Sequence, residues 1–271
     1  MELILAAAEC DPSVDIICAP SNVNELFEFR EAIWTIGGFP ITRTVFLILA
    51  VAVIASALLF FGLRKKSVIP SKFQAMTESL VSYVRDDIAI DIIGPEGIKY
   101  VPWLLSVFLF VLIGNMYEVT PGVNFPVTSR MALPAMLAAI TWTVFVIAGI
   151  KRQGFRYFTG IIWPTSVPVA LRPLVGLIEF FSILVIRPLT LAVRLFANLV
   201  AGHLMLTLLL VSGWVFLSSI GDIGARAGIG LAWFIMGLGI FVFEIIVIML
   251  QAYIFTLLSA VYVQSSLYPE H

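Results

Sequence analysis

From Val169 to Leu217 the sequence is predominantly apolar, and this run is too long to be one upright membrane helix. The part after Arg172 alone would extend ~68 Å at 1.5 Å per residue, against a hydrocarbon core of about 30 Å. The run must tilt steeply, bend, or begin along the interface. Pro173 and Pro188 are the natural places for a bend or a helix start. Deep inside it stands Arg194, with no carboxylate within fourteen residues on either side. Arginine cannot shed its charge by deprotonating. Holding it at the middle of a membrane helix costs at least ~2.5 kcal/mol on the gentlest scale. Something outside this helix must offset that cost.

Composition supports a membrane reading throughout. The chain is 61% apolar and 12% charged, whereas soluble domains carry about 25% charged residues. An all-α integral membrane protein follows, because only helices satisfy every backbone group within one segment in lipid. The net charge of −1 says nothing about a nucleic-acid partner, and with no basic stripe with interleaved aromatics none is expected. No glycine-rich phosphate loop and no Ser-His-Asp pattern occurs, so no bound nucleotide is expected. The histidines are His203 and His271, without metal-ligand spacing, so neither a metal nor another cofactor is implied. Cys10 and Cys18 both lie in the N-terminal tail; they are either a disulfide, if the tail is outside the cytoplasm, or two inert thiols. Residues 1–10 resemble a short signal sequence but lack a basic start and are broken by Glu9, so no cleavage is expected.

In chain order, residues 1–40 form a polar, acidic, extracytoplasmic tail, and 41–271 a single membrane domain. The first span is expected at Ile41–Leu63. Arg64, Lys65 and Lys66 follow it and mark the cytoplasmic side, which puts the N-terminus outside. Phe73, Met76, Leu80, Val84, Ile88 and Ile92 recur at helical spacing among charged residues, predicting an amphipathic helix on the cytoplasmic face. The Asp86–Asp87 pair reads as a solvated face. Pro102–Tyr117 travels outward and Met131–Ile150 returns, ending at Lys151 and Arg152 with Arg156 close behind. Gly213–Gly230, with Asp222 and Arg226, is expected as an outer loop. The last span, Gly230–Tyr262, leaves the C-terminus cytoplasmic and, like its predecessor, is long enough to need tilt. Five spans and one amphipathic helix result. The tryptophans mostly fall near interfaces and read as anchors.

The polar residues inside these spans carry the functional signal. On an ideal helix Asn198 lies about 40° around from Arg194, Arg187 shares nearly the same face, and His203 points to the opposite side, ~13 Å nearer the outside. Glu244 and Gln251 share one face of the last helix, about 10 Å apart. Antiparallel packing would place Glu244 at the depth of His203, and Gln251 at that of Arg194. Gln251 and His203 could serve only as interhelical hydrogen-bonding glue. Arg187 could snorkel to the interface. Asn115, Glu118 and Glu179 could be ordinary interfacial polar residues. Arg194 has no such bland explanation.

Together Arg194-Leu-Phe-Ala-Asn198, Ala201-Gly-His203, Phe243-Glu244 and Leu250-Gln251-Ala-Tyr-Ile-Phe255 resemble the subunit a family of F-type ATP synthases. Asn115-Met-Tyr-Glu118, Pro121 and Arg187-Pro188 extend the likeness, which spans about residues 40–267. The resemblance implies a multi-pass subunit of a bacterial-type plasma membrane, with two offset aqueous half-channels serving a rotating ring of c subunits. It also implies b-type peripheral-stalk partners and protons as cargo, with ATP chemistry left to other subunits. Arg194 would face the buried carboxylates of the ring. Asn198, His203, Glu244, Gln251, Asn115 and Glu118 would border the proton path, with Arg187 and Glu179 as accessory positions. Many members carry Glu where this chain has His203 and His where it has Glu244; the exchange keeps one carboxylate and one imidazole. A secondary transporter binding an anion at Arg194 is the rival reading. No internal repeat of the kind such transporters show is visible. A purely structural anchor would leave three buried ionisable groups unexplained.

Overall fold

The computed structural model describes residues 15–18, 32–36, 39–64, 70–120, 123, 127–154, 156–163, 168–169, 171–219 and 227–268. Among them, five helical runs are long and apolar enough to cross a membrane: Arg43–Leu63, Pro95–Val119, Ala132–Gln153, Arg172–Ser218 and Gly228–Leu267. The expected all-helical membrane architecture holds, with the last two helices the longest. One small addition precedes it, an antiparallel hairpin of β1 (Ala32–Ile36) and β2 (Phe39–Thr42) that leads directly into the first span.

Helix α1 (Arg43–Leu63) hands over to α2 (Lys72–Ser82), whose start is capped by Ser71 Oγ accepting from the Gln74 amide. The helix then widens into a π-helical stretch, Tyr83–Ile93, that ends at Gly94. Gly94 adopts φ +88°, a conformation that L side chains rarely adopt, and this permits the sharp stop before Pro95. A 3₁₀ turn, Pro95–Tyr100, runs straight into α3 (Val101–Val119). The amphipathic stripe differs from the expected one. Phe73 and Met76 are exposed, whereas Gln74 and Thr77 are buried. The reason is Gly62 of α1: a Cβ there would strike the Thr77 side chain, so the small polar face of α2, not its bulky apolar one, fits against α1. Val84 and Ile88 are buried as expected. Asp86 is exposed and bonded to Arg85 at 2.8 Å, and that hydrogen bond holds its carboxyl below the usual range.

A short 3₁₀ turn at Val127–Ser129 precedes α4 (Ala132–Gln153). Next come α5 (Arg156–Ile162), which sequence reading did not anticipate, and α6 (Arg172–Phe181), then a π turn at Ser182–Ile186 and α7 (Arg187–Ser218). Pro173 sits in the first turn of α6, where a missing amide proton costs nothing, whereas Pro188 follows the π turn inside the continuous helix and removes one backbone hydrogen bond there. The long apolar run is thus helical from Arg172 to Ser218, with the π turn between its two α-helical parts.

The last helix, α8 (Ala227–Leu267), runs antiparallel to α7 and also packs against α3 and α4. Its contacts with α7 repeat every seven residues. Gly230 lies against Phe216, Gly237 against Leu209 and Leu210, Glu244 against Gly202, and the Gln251 side chain reaches the Arg194 carbonyl. Gly213 meets the backbone of Phe234 in the same seam. A seven-residue period is the signature of two helices crossing at a shallow left-handed angle. It corrects one expectation. Gly213 and Gly230 belong to helices, not to an outer loop, because they give room for close helix approach rather than for a turn; Asp222 and Arg226 lie outside the described residues.

The tail docks on this pair. Ser212 Oγ, fully buried on α7, accepts from the Cys18 amide at 2.9 Å, and Trp233 of α8 donates to the Ile16 carbonyl at 3.0 Å. Cys18 is disulfide-bonded; the other cysteine of the sequence, Cys10, lies outside the described residues, as do Lys65, Lys66 and Pro121. At the opposite end Arg152 pairs with Glu96 at 2.8 Å and stacks on Tyr268, and Gln153 donates to the Ser266 carbonyl. The tail thus marks one end of the bundle and Arg152 the other.

Candidate functional site

Three spans bring ionisable groups into one buried pocket toward the tail end. Helix α3 supplies Asn115 and Glu118, one turn apart and so on one face. His203 comes from α7 and Glu244 from α8. All are enclosed: Glu118 is 2% exposed, Glu244 3%, His203 4% and Asn115 0%. His203 Nδ1 lies 3.9 Å from Glu118 Oε1, an ion-pair separation if the imidazole is protonated but too long for a direct hydrogen bond. Glu244 reaches the pocket because α7 has no side chain at residue 202. A Cβ added to Gly202 would stand 2.5 Å from both carboxylate oxygens.

The 3₁₀ turn closes the pocket between α3 and α7. Thr128 Oγ1 donates to Asn115 Oδ1 at 2.7 Å, and Ser129 is buried beside it in the chain. Five buried polar atoms here have no hydrogen-bond partner among the described residues: both oxygens of Glu118, Glu244 Oε1, Asn115 Nδ2 and Ser129 Oγ. Buried polar groups are rarely left so. Their concentration within one polar pocket matches a place where water and protons complete the bonding.

Arg194 occupies different surroundings. It is exposed on the outer face of α7, flanked by exposed apolar residues including Val193, Leu189 and Met205 of its own helix. Among the described residues its guanidinium has no hydrogen bond or ion pair. What anchors its level is the backbone: Gln251 Nε2 donates to the Arg194 carbonyl at 3.0 Å. Asn198 is half-buried between the exposed face and the pocket, with Nδ2 unpartnered. His203 and Arg194 therefore look to opposite sides of one helix.

A second polar space opens toward the Arg152 end, a cavity of about 330 Å³ whose lining includes Glu179, Arg187, Gln153, Tyr157, Gln264 and Ser265. Arg187 does not share the exposed face of Arg194. Its guanidinium folds back to bond Ser265 Oγ at 3.0 Å and to sit 5.4 Å over the Tyr262 ring. A long side chain can leave the direction its Cα sets, and here two partners on α8 draw it away.

The sequence that builds this arrangement has known counterparts. A family model described as ATP synthase A chain matches residues 44–264. The chain is 39% identical over 214 residues to the ATP synthase subunit a of Frankia alni, covering 78% of this chain and 72% of that one. Against the subunit a of Streptomyces lividans the identity is 40% over 210 residues, 77% and 73% of the two chains. Against that of Pseudarthrobacter chlorophenolicus it is 34% over 253 residues, 93% and 94%. The chain belongs to the ATP synthase A chain family.

Family membership and geometry bear on the site residues differently. Charge and depth singled out Arg194, Asn198, His203, Glu244, Gln251, Asn115 and Glu118, and the fold draws Asn115, Glu118, His203 and Glu244 into one pocket while Gln251 braces Arg194. Glu179 and Arg187 line the other cavity. Sequence reading passed over Thr128, Ser129 and Gly202. Gly202 lies within Ala201-Gly-His203, seven residues before Leu209 on the seam, and that period was its available signal. Thr128 and Ser129 lie in a connection between spans, where a hydroxyl carries no distinctive signal.

Proposed function

We propose that this chain is the proton-conducting stator subunit of a bacterial rotary ATP synthase, serving a ring of c subunits through the face of α7 that carries Arg194. The pocket of Asn115, Glu118, His203 and Glu244 is the outer half-channel, and the cavity of Glu179 and Arg187 the inner one. The N-terminal tail and the pocket are extracytoplasmic; the Arg152 end and the C-terminus are cytoplasmic. Lys151 and Arg152 close one span on that side, in keeping with the positive-inside bias. A b-type peripheral stalk holds the subunit still.

The observation that carries this reading is the unpartnered Arg194 on an exposed apolar face. A permanent cation there is costly in lipid and is stabilised by a carboxylate on a neighbouring chain. It favours the ionised form of each ring carboxylate that passes, and it repels protons. A proton delivered through the outer pocket neutralises a carboxylate, travels with the ring, and leaves through the inner cavity. Direct passage is blocked because arginine cannot relay a proton. The barrier matters energetically, since a proton crossing about 150 mV gains roughly 3.5 kcal/mol from the potential alone.

Two measurements test this. Arg194→Ala should leave an assembled complex that neither makes ATP nor pumps protons on ATP hydrolysis; normal coupled pumping would end the assignment. Cysteines at Ala197 and Ala201, both exposed on the face of Arg194, should form disulfide cross-links to cysteines on the outer helix of the ring. No cross-link from either would remove the ring from this face.

A further inference from the structure

The outer pocket holds one bond whose purpose is not packing. Asn115 is fully buried, and the oxygen end of its amide is taken by the Thr128 hydroxyl. Its nitrogen end is left without a partner, and so are both oxygens of Glu118 one turn further along the same helix face. A buried donor and a buried acceptor so placed are satisfied together by one water between them. His203 and Glu244 complete the ionisable surroundings of Glu118, from α7 and α8.

An asparagine amide has two ends of similar shape and opposite hydrogen-bonding sense. Which end faces Glu118 decides whether the carboxylate meets donors or another acceptor. Donors stabilise the ionised carboxylate and an acceptor destabilises it. The structure assigns Thr128 as a positioning residue for proton uptake: its hydroxyl holds the Asn115 amide with the NH₂ group turned toward Glu118. This rests on the reading of the pocket as the outer half-channel. With Thr128 in place, Glu118 can give up its proton and be re-protonated in one fixed hydrogen-bonded frame. Without it, the Asn115 oxygen is stranded in the interior and the amide is free to turn over, placing that oxygen against the carboxylate.

The test uses the whole complex in membrane vesicles, with ATP-driven proton pumping as readout and the amount of assembled subunit as control. Thr128→Val keeps the side-chain shape and removes only the hydroxyl; it should slow pumping about five- to tenfold, the scale of one buried hydrogen bond. Thr128→Ser, which keeps the donor, should restore most of the rate. In an Asn115→Ala background, Thr128→Val should cause no further loss, because a residue acting through another has nothing left to act on. Normal pumping by Thr128→Val would overturn the inference. So would equal damage from the Ser and Val variants, or an added loss in the Asn115→Ala background. Normal pumping by Asn115→Ala alone would instead remove the pocket from the proton path, and the inference with it.

Discussion

Charge state separates the two kinds of functional residue in this chain. Arg194 is a fixed cation and sits on the exposed face, where a partner chain can reach it. Glu118, His203 and Glu244, the groups proposed to exchange protons, are sealed in the interior. Gly202 is what lets these groups meet, since its missing side chain is the space that the Glu244 carboxylate fills. Gly202→Ala would push a flexible carboxylate aside rather than break the fold, so assembly should persist. Proton pumping should fall several-fold, by about the 1–2 kcal/mol that one displaced hydrogen-bonded group is worth; a normal rate with normal assembly would show that Glu244 does not need this position. Charged residues were legible in the sequence because burying them is expensive, and expense is countable from composition and depth. Thr128 and Gly202 were not, because a hydroxyl is ordinary in a connection between spans and a glycine serves a turn as readily as a close contact. Arg187 shows a further limit. Helical counting places its Cα on the face of Arg194, but Ser265 and Tyr262 decide where its guanidinium goes.

At the scale of elements, the seam between α7 and α8 sets the relative depth of Arg194, His203, Glu244 and Gln251. The seven-residue spacing of Glu244 and Gln251 is visible in the sequence, and counting from it places Gln251 level with Arg194, where the structure forms the bond. The glycines of the same seam were harder to read. Glycine near a polar residue suggests a loop in water, but in a membrane it equally marks close helix contact. Only the three-dimensional partner tells the two apart, and Gly213 has backbone atoms of Phe234 less than 3 Å from where its Cβ would be. The amphipathic helix forms and buries Val84 and Ile88 as expected, but its first turns pack differently, because Phe73 and Met76 face outward once Gly62 accepts Thr77. Gly213→Leu must therefore separate two backbones. It should destabilise the helix pair by about 1–3 kcal/mol, the usual cost of overpacking, seen as earlier heat release of the subunit from the detergent-extracted complex. Gly239→Ala is the matched control, since a Cβ there meets nothing within 4 Å, and it should hold or slightly raise stability. Equal effects from both would mean that the close approach at Gly213 carries no strain.

At the scale of the whole molecule, the two polar spaces lie on either side of Arg194 along the same rod. His203 is nine residues toward the tail end and Arg187 seven toward the other, about 13 Å and 10 Å along the axis. Neither space reaches the other without passing the level of the fixed cation, and in the proposed mechanism that offset forces a proton onto a moving carrier. Which space takes protons up depends on the side of the membrane that each end faces. The basic residues after the first and third spans are the argument for the proposed cytoplasmic Arg152 end, and the docked, disulfide-bonded tail suits an oxidising exterior. Single cysteines at Ser218 and Asp91, both exposed at opposite ends, provide the check with a membrane-impermeant maleimide. Ser218→Cys should react only in right-side-out vesicles and Asp91→Cys only in inverted ones. The reverse pattern would exchange the roles of the two spaces, making the Glu179–Arg187 cavity the uptake side. Arg194 would keep its place between them in either orientation, because its function depends on the offset and not on its direction.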